Sequence, residues 1–180
     1  MTITLRRDVS LQPLALSHAA AMFCWVSDPE ISQNIGLRSE PTLEKTQAWI
    51  SNALNDASIK PFAIYLGRQH AGIVVLDRID AHLSTARFSI YIGERAARGA
   101  GIGASAAYLA CAEGFRALPL NKIGLVVHVE NKTAITCYAR LGFKLEGTLR
   151  DEFKLNGRLI DAHYMGLLRR DFEGCAVTPV

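Results

Sequence analysis

Three glycines alternate in Arg98-Gly-Ala-Gly-Ile-Gly103, between a stretch of strand character and one of helical character. Glycine lets a backbone approach a ligand closely. A helix start adds unpaired N–H groups and the positive end of the helix dipole. Strand, glycine loop and helix in that order make an anion site suited to a phosphate or pyrophosphate. A turn chosen for tight packing is the plain alternative, and the alternation of three glycines beside Arg98 favours the anion. A P-loop needs a Lys after its last glycine, and none follows here. A dinucleotide fingerprint fits Gly99, Gly101 and Ala104 only loosely. Ile123, Gly124 and Leu125 stand where its acidic residue is expected, and the loop follows at least three strands when it should follow the first.

The surrounding elements must hold this loop. Ile3 and Leu5 read as a short opening strand, and Leu14–Trp25 as a helix that Pro29 and Asn34-Ile-Gly36 break. Thr42 caps a second helix running to about Leu54, with Trp49, Ile50 and Ala53 on one face. Phe62–Leu66, Ala71–Leu76 and Arg87–Ile92 read as three strands, with a polar connection over Asp77–Thr85. After the glycine loop, Ala104–Leu118 is helical and ends before Pro119. Ile123–Val129 is a nearly continuous β-branched run, as in a strand buried on both faces. Asn131–Leu141 is a short helix stopped by Gly142, and Phe143–Arg150 with Arg158–Leu168 form a hairpin around Asn156-Gly157. The sum is an α/β (α+β) fold with a mixed sheet, since a doubly wound fold would alternate more regularly. Residues 1–172 make one domain, and 173–180 read as a flexible tail.

Composition agrees. The 180 residues are 49% hydrophobic and 21% charged, enough for one full core and too ordinary for a disordered or fibrous chain. Twenty basic against 17 acidic residues leave +3, without the basic excess of a nucleic-acid binder. The longest apolar-rich stretch, Ala104–Ala112, is far short of the roughly 20 residues of a membrane span. Cys24, Cys111, Cys137 and Cys175 form no C-x-x-C pair, so zinc-ribbon and thioredoxin-type chemistry lose their main support and no metal is expected. Without a signal peptide, the expectation is a cytoplasmic protein with reduced thiols.

Arg98-x-x-Gly101-x-Gly103 resembles the acetyl-CoA signature Q/R-x-x-G-x-G/A of the GNAT N-acetyltransferases. Asn131-Lys-Thr-Ala134-Ile-Thr-Cys-Tyr138-Ala-Arg-Leu141-Gly-Phe143 is similar to that family's N-x-x-A-x-x-x-Y-x-x-x-G-F. The resemblance covers roughly Ile3–Phe172. It looks closest to the RimJ/RimL-like branch through Trp25-x-x-Asp-Pro-Glu30, Ile92-Gly-Glu94 and Glu146-Gly-x-x-Arg150 with Asn156-Gly157 and Asp161. It implies a mostly antiparallel sheet, flanked by helices, in which two central parallel strands near Phe88–Ile92 and Ile123–Val129 splay. Acetyl-CoA would lie in the opening, its pyrophosphate on Arg98, Gly99, Ala100, Gly101, Ile102, Gly103 and Ala104 and its pantetheine along Ile90, Tyr91 and Ile92. Asn131 would contact the cofactor and Tyr138 would act as general acid. Homodimers are common among relatives.

Acetyl transfer needs a neutral amine, support for an oxyanion and a proton for the leaving thiolate. A backbone N–H near Ile92 suits the oxyanion. Tyr138, with an ordinary pKa near 10, is matched to a thiol. Many relatives carry a Glu on the strand before the loop, where this chain has Arg87-Phe-Ser89. Glu94 is the first substitute base, and His128 and His163 are others. A lysine-like amine of pKa about 10.4 costs roughly 4.6 kcal/mol to deprotonate at pH 7, and an α-amine of pKa about 8 only about 1.4 kcal/mol. A site without a strong base therefore suits a nucleotide-linked amino sugar or a protein N-terminal α-amine better than a polyamine. Trp25, Glu30 and Arg87 are candidates for the acceptor site, with Asp28, Arg38 and Arg78. A covalent route through Cys137 has no visible His partner. The rivals are an acyl-CoA-binding sensor without chemistry and a dinucleotide-dependent enzyme.

Overall fold

The computed structural model describes residues 3–99, 101–174 and 177–179. In chain order the elements are β1 (Ile3–Leu5), β2 (Val9–Pro13), a 3-10 turn (Leu16–His18), α1 (Ala19–Val26), α2 (Pro29–Asn34), α3 (Leu43–Asn55), β3 (Lys60–Leu66), β4 (Gln69–Asp80) and β5 (Thr85–Ile92). A 3-10 turn (Arg95–Ala97), α4 (Ile102–Ala117), β6 (Lys122–His128), α5 (Lys132–Arg140), β7 (Lys144–Leu155), β8 (Arg158–Leu168), α6 (Arg169–Glu173) and β9 (Val177–Pro179) follow.

Seven strands form one sheet in the order β2-β3-β4-β5-β6-β8-β7. Only β5 and β6 are parallel within it, and they pair over three positions, Thr85–Lys122, Ala86–Ile123 and Arg87–Gly124. Beyond Arg87 the two strands part, so the expected splay is present. Strand alternation then divides the side chains. Phe88, Ile123, Leu125, Val127, Met165 and Leu167 face α4 in the larger core, with Ala106, Ala110 and Phe115. Ile73, Val75, Ala63 and Tyr91 face α1 and α3, with Met22 and Ile50. A fully buried side chain such as Leu76 or Ile123 contributes about 1.5–3 kcal/mol.

Several boundaries differ from the sequence expectations, each for a local reason. Val9–Pro13 is an edge strand where a helix was expected to be close, and Pro13, which cannot donate to a ladder, stands at its end. The break expected at Pro29 is present, since α1 ends at Val26, and Pro29 also starts α2. Asp28 Oδ1 accepts from the Glu30 amide at 2.9 Å, and Pro29 occupies the first turn, where its missing N–H costs nothing. Thr42 caps α3 as expected, its hydroxyl accepting from the Lys45 amide at 3.2 Å. The buried stripe of α3 is Thr46, Ile50 and Ala53, at i, i+4 and i+7, while Trp49 points outward. β4 continues through Asp77 to Asp80, so the expected polar connection shortens to the turn at 81–84. Asn156 and Gly157, at φ +49° and +79°, make the two-residue hairpin turn. The expected flexible tail is corrected too: Glu173 ends α6, and Val177–Pro179 pairs in parallel with Ile3–Leu5, a partner too remote in sequence for local patterning to reveal. Cys175 lies outside the described residues. Among the described residues no helix is long and apolar enough to cross a membrane.

Candidate active site

The opening between β5 and β6 is lined by backbone. The Gly93 amide donates to the Ala71 carbonyl at 2.9 Å, which sets the alternation along β5. Tyr91 therefore turns its N–H and C=O toward β4, while Ile90 and Ile92 turn theirs into the opening. On the other side the Val129 amide donates to the Asp161 carbonyl at 3.0 Å, so Val126 presents its backbone groups to the same opening. Of the three residues expected to pair with pantetheine, the backbone of Ile90 and the amide of Ile92 are available, the Ile92 carbonyl accepts from Arg98, and Tyr91 is committed to the sheet. The Tyr91 hydroxyl is buried without a partner among the described residues, and burial raises its pKa.

The glycine loop closes one end. Gly99 and Gly101 both take φ of +78°, a conformation that L side chains rarely adopt. Gly101 is the N-cap of α4, and the first amide bonded back into the helix is that of Ser105, which donates to the Gly101 carbonyl at 3.1 Å. The amides of Ile102, Gly103 and Ala104 are thus free of intrahelical partners. A Cβ on Gly103 would lie 3.9 Å from Ile92 Cγ1, so the helix start sits directly over the open end of β5. Ala100 lies outside the described residues. We expect Gly101→Ala to weaken acetyl-CoA binding about 5–10-fold through a conformational cost of about 1 kcal/mol or slightly more. Gly103→Ala should leave the melting temperature unchanged. Calorimetric titration and thermal unfolding check the pair.

Arg98 takes a different posture from the one its place in the motif suggests. Its guanidinium folds back on β5, Nε donating to the Ile92 carbonyl at 3.1 Å and Nη2 to the Gly93 carbonyl at 3.3 Å. Nη1 donates to Glu30 Oε2 at 3.0 Å, and Asp28 lies 3.9 Å from Nη2. Glu30, expected at the acceptor site, is thereby tied to the cofactor loop. Arg87 is held by Asp77 across the hairpin in a two-pronged bond of 2.7 and 2.6 Å. Its pKa is raised first by that hydrogen bond, against desolvation. The arginine that replaces the relatives' Glu is occupied, and so is the nearest carboxylate.

Tyr138 lies on α5, against Phe88 at 5.9 Å and Phe143 at 5.8 Å between ring centres, on the α4 side of the sheet. Its hydroxyl bonds no other described residue. Burial raises its pKa first, and Cys137 and Cys111 add to the effect. Asn131 caps α5, its Oδ1 accepting from the Ala134 amide at 3.1 Å. Trp25 backs the strand end, its ring centre 4.7 Å from that of His70 and 6.3 Å from that of Tyr91. His70 is pushed down to about 4 by burial and then by His18, against the pull of the Gly72 carbonyl. Glu94 is half-buried at the turn after β5, and its side chain bonds no other described residue. His163 bonds Thr148 Oγ1 at 3.1 Å on the α4 side, so it does not face α1 and α3. His128 does, and its Nε2 lies 2.8 Å from Asn34 Oδ1. Sequence reasoning missed Asn34, Asp77 and the Arg98–Glu30 tie. Only the Asp77–Arg87 pair had a signal, as opposite charges flanking the turn of a hairpin. Among the described residues no three His, Cys, Asp or Glu side chains gather as a metal site.

Two residues with open backbone on a splayed strand, a glycine loop at positive φ and a helix start fit an acyl-CoA. The family of the acetyltransferase (GNAT) domain matches residues 8–144. The chain belongs to the GNAT acetyltransferases. The acetyltransferase is 35% identical over 126 residues to the spermidine N(1)-acetyltransferase of Escherichia coli (strain K12), covering 70% of this chain and 67% of that protein. It is 30% identical over 103 residues to the putative ribosomal N-acetyltransferase YdaF of Bacillus subtilis (strain 168), covering 57% and 56%. The crystal structure of spermidine N-acetyltransferase from Vibrio cholerae in complex with CoA and spermine shares its fold, at a TM-score of 0.87 and 24% identity, over 93% of this chain and 99% of that one. The GNAT enzyme thus transfers acetyl from acetyl-CoA to an amine, with the mixed sheet and single parallel pair that the resemblance implied.

Proposed function

We propose that the acceptor is a primary amine of a polyamine such as spermidine, acetylated by direct transfer in a ternary complex. The observation that carries this reading is the 35% identity over 126 residues to a spermidine N(1)-acetyltransferase. The electrostatics agree. Glu94 stands just after the open end of β5 with no described partner, and Asp28, Glu30 and Glu130, each paired to an arginine, stand at the start of α2 and just after β6. A nucleotide diphosphate would instead want free arginines, and Arg87 is bound to Asp77. A second reading, a protein α-amine as the RimJ/RimL-like motifs suggest, is favoured by the 30% identity to a putative ribosomal acetyltransferase.

In this reading the amides of Gly99, Gly101 and the first turn of α4 hold the pyrophosphate, and Ile90 pairs with the pantetheine. The Ile92 carbonyl is taken by Arg98, which leaves its amide for the oxyanion. Asn131 has its Oδ1 in the helix cap and keeps its NH2 for the cofactor. Tyr138 protonates the departing thiolate from the α4 side. Its raised pKa keeps the phenol protonated across the working range, as an acid requires.

Thiol release from acetyl-CoA tests this against spermidine, a peptide with a free N-terminus and a nucleotide-linked amino sugar. We expect kcat/KM for spermidine to exceed the other two at least about tenfold, a difference of about 1.4 kcal/mol in transition-state binding. A peptide that outpaces spermidine selects the second reading.

A further inference from the structure

Two buried polar groups have no partner among the described residues, the Tyr91 hydroxyl and His128 Nδ1, and the acetyl-transfer reading uses neither. His128 ends β6, and its ring lies on the face turned to α1 and α3, opposite to Tyr138. The residue is only 6% exposed. Its Nε2 lies 2.8 Å from Asn34 Oδ1 on α2. With an oxygen as partner, Nε2 carries the proton and Nδ1 a bare lone pair. That Nδ1 is buried and has no partner among the described residues. Phe153 of the β7–β8 hairpin meets the ring edge-on, 5.9 Å away.

We propose that His128 is the base of the reaction, taking a proton from the acceptor amine at Nδ1, with Asn34 as the positioning residue that fixes its tautomer. The inference rests on the acetyl-transfer reading above and names the group that reading lacks. Of the other candidates, Glu94 lies on the far strand, at the turn after β5, with no described partner to orient its carboxylate. His163 faces the opposite side with Thr148, and Asp77 is occupied by Arg87. Burial holds His128 below its ordinary pKa, with Glu130 pulling the other way, so the imidazole is neutral at pH 7. Glu130 is itself paired to Arg158 at 3.3 Å. Asn34, Phe153 and Ala162, which pack or pair against His128, carry no charge.

Nδ1 is buried, so an amine reaches it only when a neighbouring element shifts, and α2 carries Asn34 against the ring. That helix has one buried residue, Ile31. Its ends are held by polar contacts: Glu30 to Arg98, Gln33 Oε1 to the Asn156 amide at 3.2 Å, and Asn34 to His128. The Glu30 contact is exposed and can exchange with water, so the N-terminal end of α2 can shift while Asn34, at its other end, keeps its bond to His128. The proton balance closes. The ammonium gives one proton to His128 Nδ1. The free amine then attacks the thioester carbon, forming C–N as the carbonyl pair moves to oxygen. Collapse restores C=O and breaks C–S, and the thiolate takes the Tyr138 proton. The second amine proton restores Tyr138, and His128 releases its own to solvent, one proton per turnover.

The test compares wild type with His128→Gln, whose amide can still donate to Asn34, using spermidine, a free-N-terminus peptide and a nucleotide-linked amino sugar across pH 6–10. We expect kcat/KM to fall about 100-fold at pH 7, with acetyl-CoA affinity within about twofold of wild type. The deficit should shrink as pH approaches the amine's own pKa, where free amine needs no base. A loss below about threefold, or one that is constant with pH, overturns the proposal. Nitrogen-15 spectra of the histidine rings supply a readout that needs no turnover and no variant. A neutral His128 protonated at Nε2, with tautomers mixing in Asn34→Ala, supports the assignment. A ring protonated at Nδ1 or doubly protonated at pH 7 overturns it. Saturable acetyl-CoA binding without turnover on any amine counts against the acceptor reading instead, and the spectra still decide on His128.

Discussion

Tyr138→Phe should lower kcat by about 100-fold or more while leaving acetyl-CoA affinity and the melting temperature close to wild type. The ring makes the contacts with Phe88 and Phe143, and phenylalanine keeps both. Only the hydroxyl goes, and it has no described protein partner to strand. Stability therefore does not register the change, and the proton that must reach the thiolate does. The pH profile gives a second check with a definite sign. Burial raises the Tyr138 pKa above its ordinary value near 10, so the acid form persists as pH rises. Wild type should show no alkaline fall assignable to this group up to about pH 10. A fall near pH 9 that disappears in Tyr138→Phe, or a variant with near-normal kcat, would remove Tyr138 from the acid's role.

Gly93→Ala should be the most damaging single methyl in the site. Its Cβ would stand 1.9 Å from Trp25 Cδ2 and 2.3 Å from Cγ, closer than any van der Waals contact allows. The indole cannot simply retreat, because His70 and Tyr91 flank it. Overpacking of this kind costs about 1–3 kcal/mol, or roughly 3–10 °C in melting temperature for a chain of this size. The strand end also carries the Ile92 and Gly93 carbonyls that Arg98 holds, so the Michaelis constant for acetyl-CoA should rise as well. Trp25→Ala made together with Gly93→Ala removes the clash and should recover part of the lost stability. Strictly additive losses in that double-mutant cycle would mean the indole and the glycine do not meet as described.

The cofactor side was far more legible in the sequence than the acceptor side, and locality explains the difference. Gly99, Gly101 and Gly103 lie in one short loop, and Asn131 and Tyr138 lie at the cap and in the body of one helix, so the contiguous motifs of the resemblance carry them. The β-branched run at Ile123–Val129 announces a buried strand by itself. The acceptor side is assembled from partners far apart in sequence. Arg98 reaches back 68 positions to Glu30, and His128 reaches back 94 to Asn34. No window of neighbouring residues records either. The start of α2 at Asp28-Pro29 went unseen for a related reason: a proline that breaks one helix can begin the next according to which residue caps it, and the cap is a hydrogen bond rather than a composition. β9 was invisible because its only ladder partner is at the other end of the chain.

The brevity of the parallel joint has a mechanical consequence. Three residue pairs connect β2-β3-β4-β5 to β6-β8-β7, whereas β4–β5 and β6–β8 are each paired along most of their length. The sheet is therefore two stiff plates on a short hinge line, with α4 packed across the seam. Its softest deformation is an opening and closing of the wedge. The phenol of Tyr138 and the imidazole of His128 ride on segments attached to the same plate, that of β6, while the Ile92 amide proposed above for the oxyanion rides on the other. Flexing the hinge thus preserves the spacing between those two side chains and changes the distance at which they meet the carbonyl carbon. A molecule that bridges the plates, as acetyl-CoA does in this reading, would set that distance and tune the reaction coordinate simply by being bound.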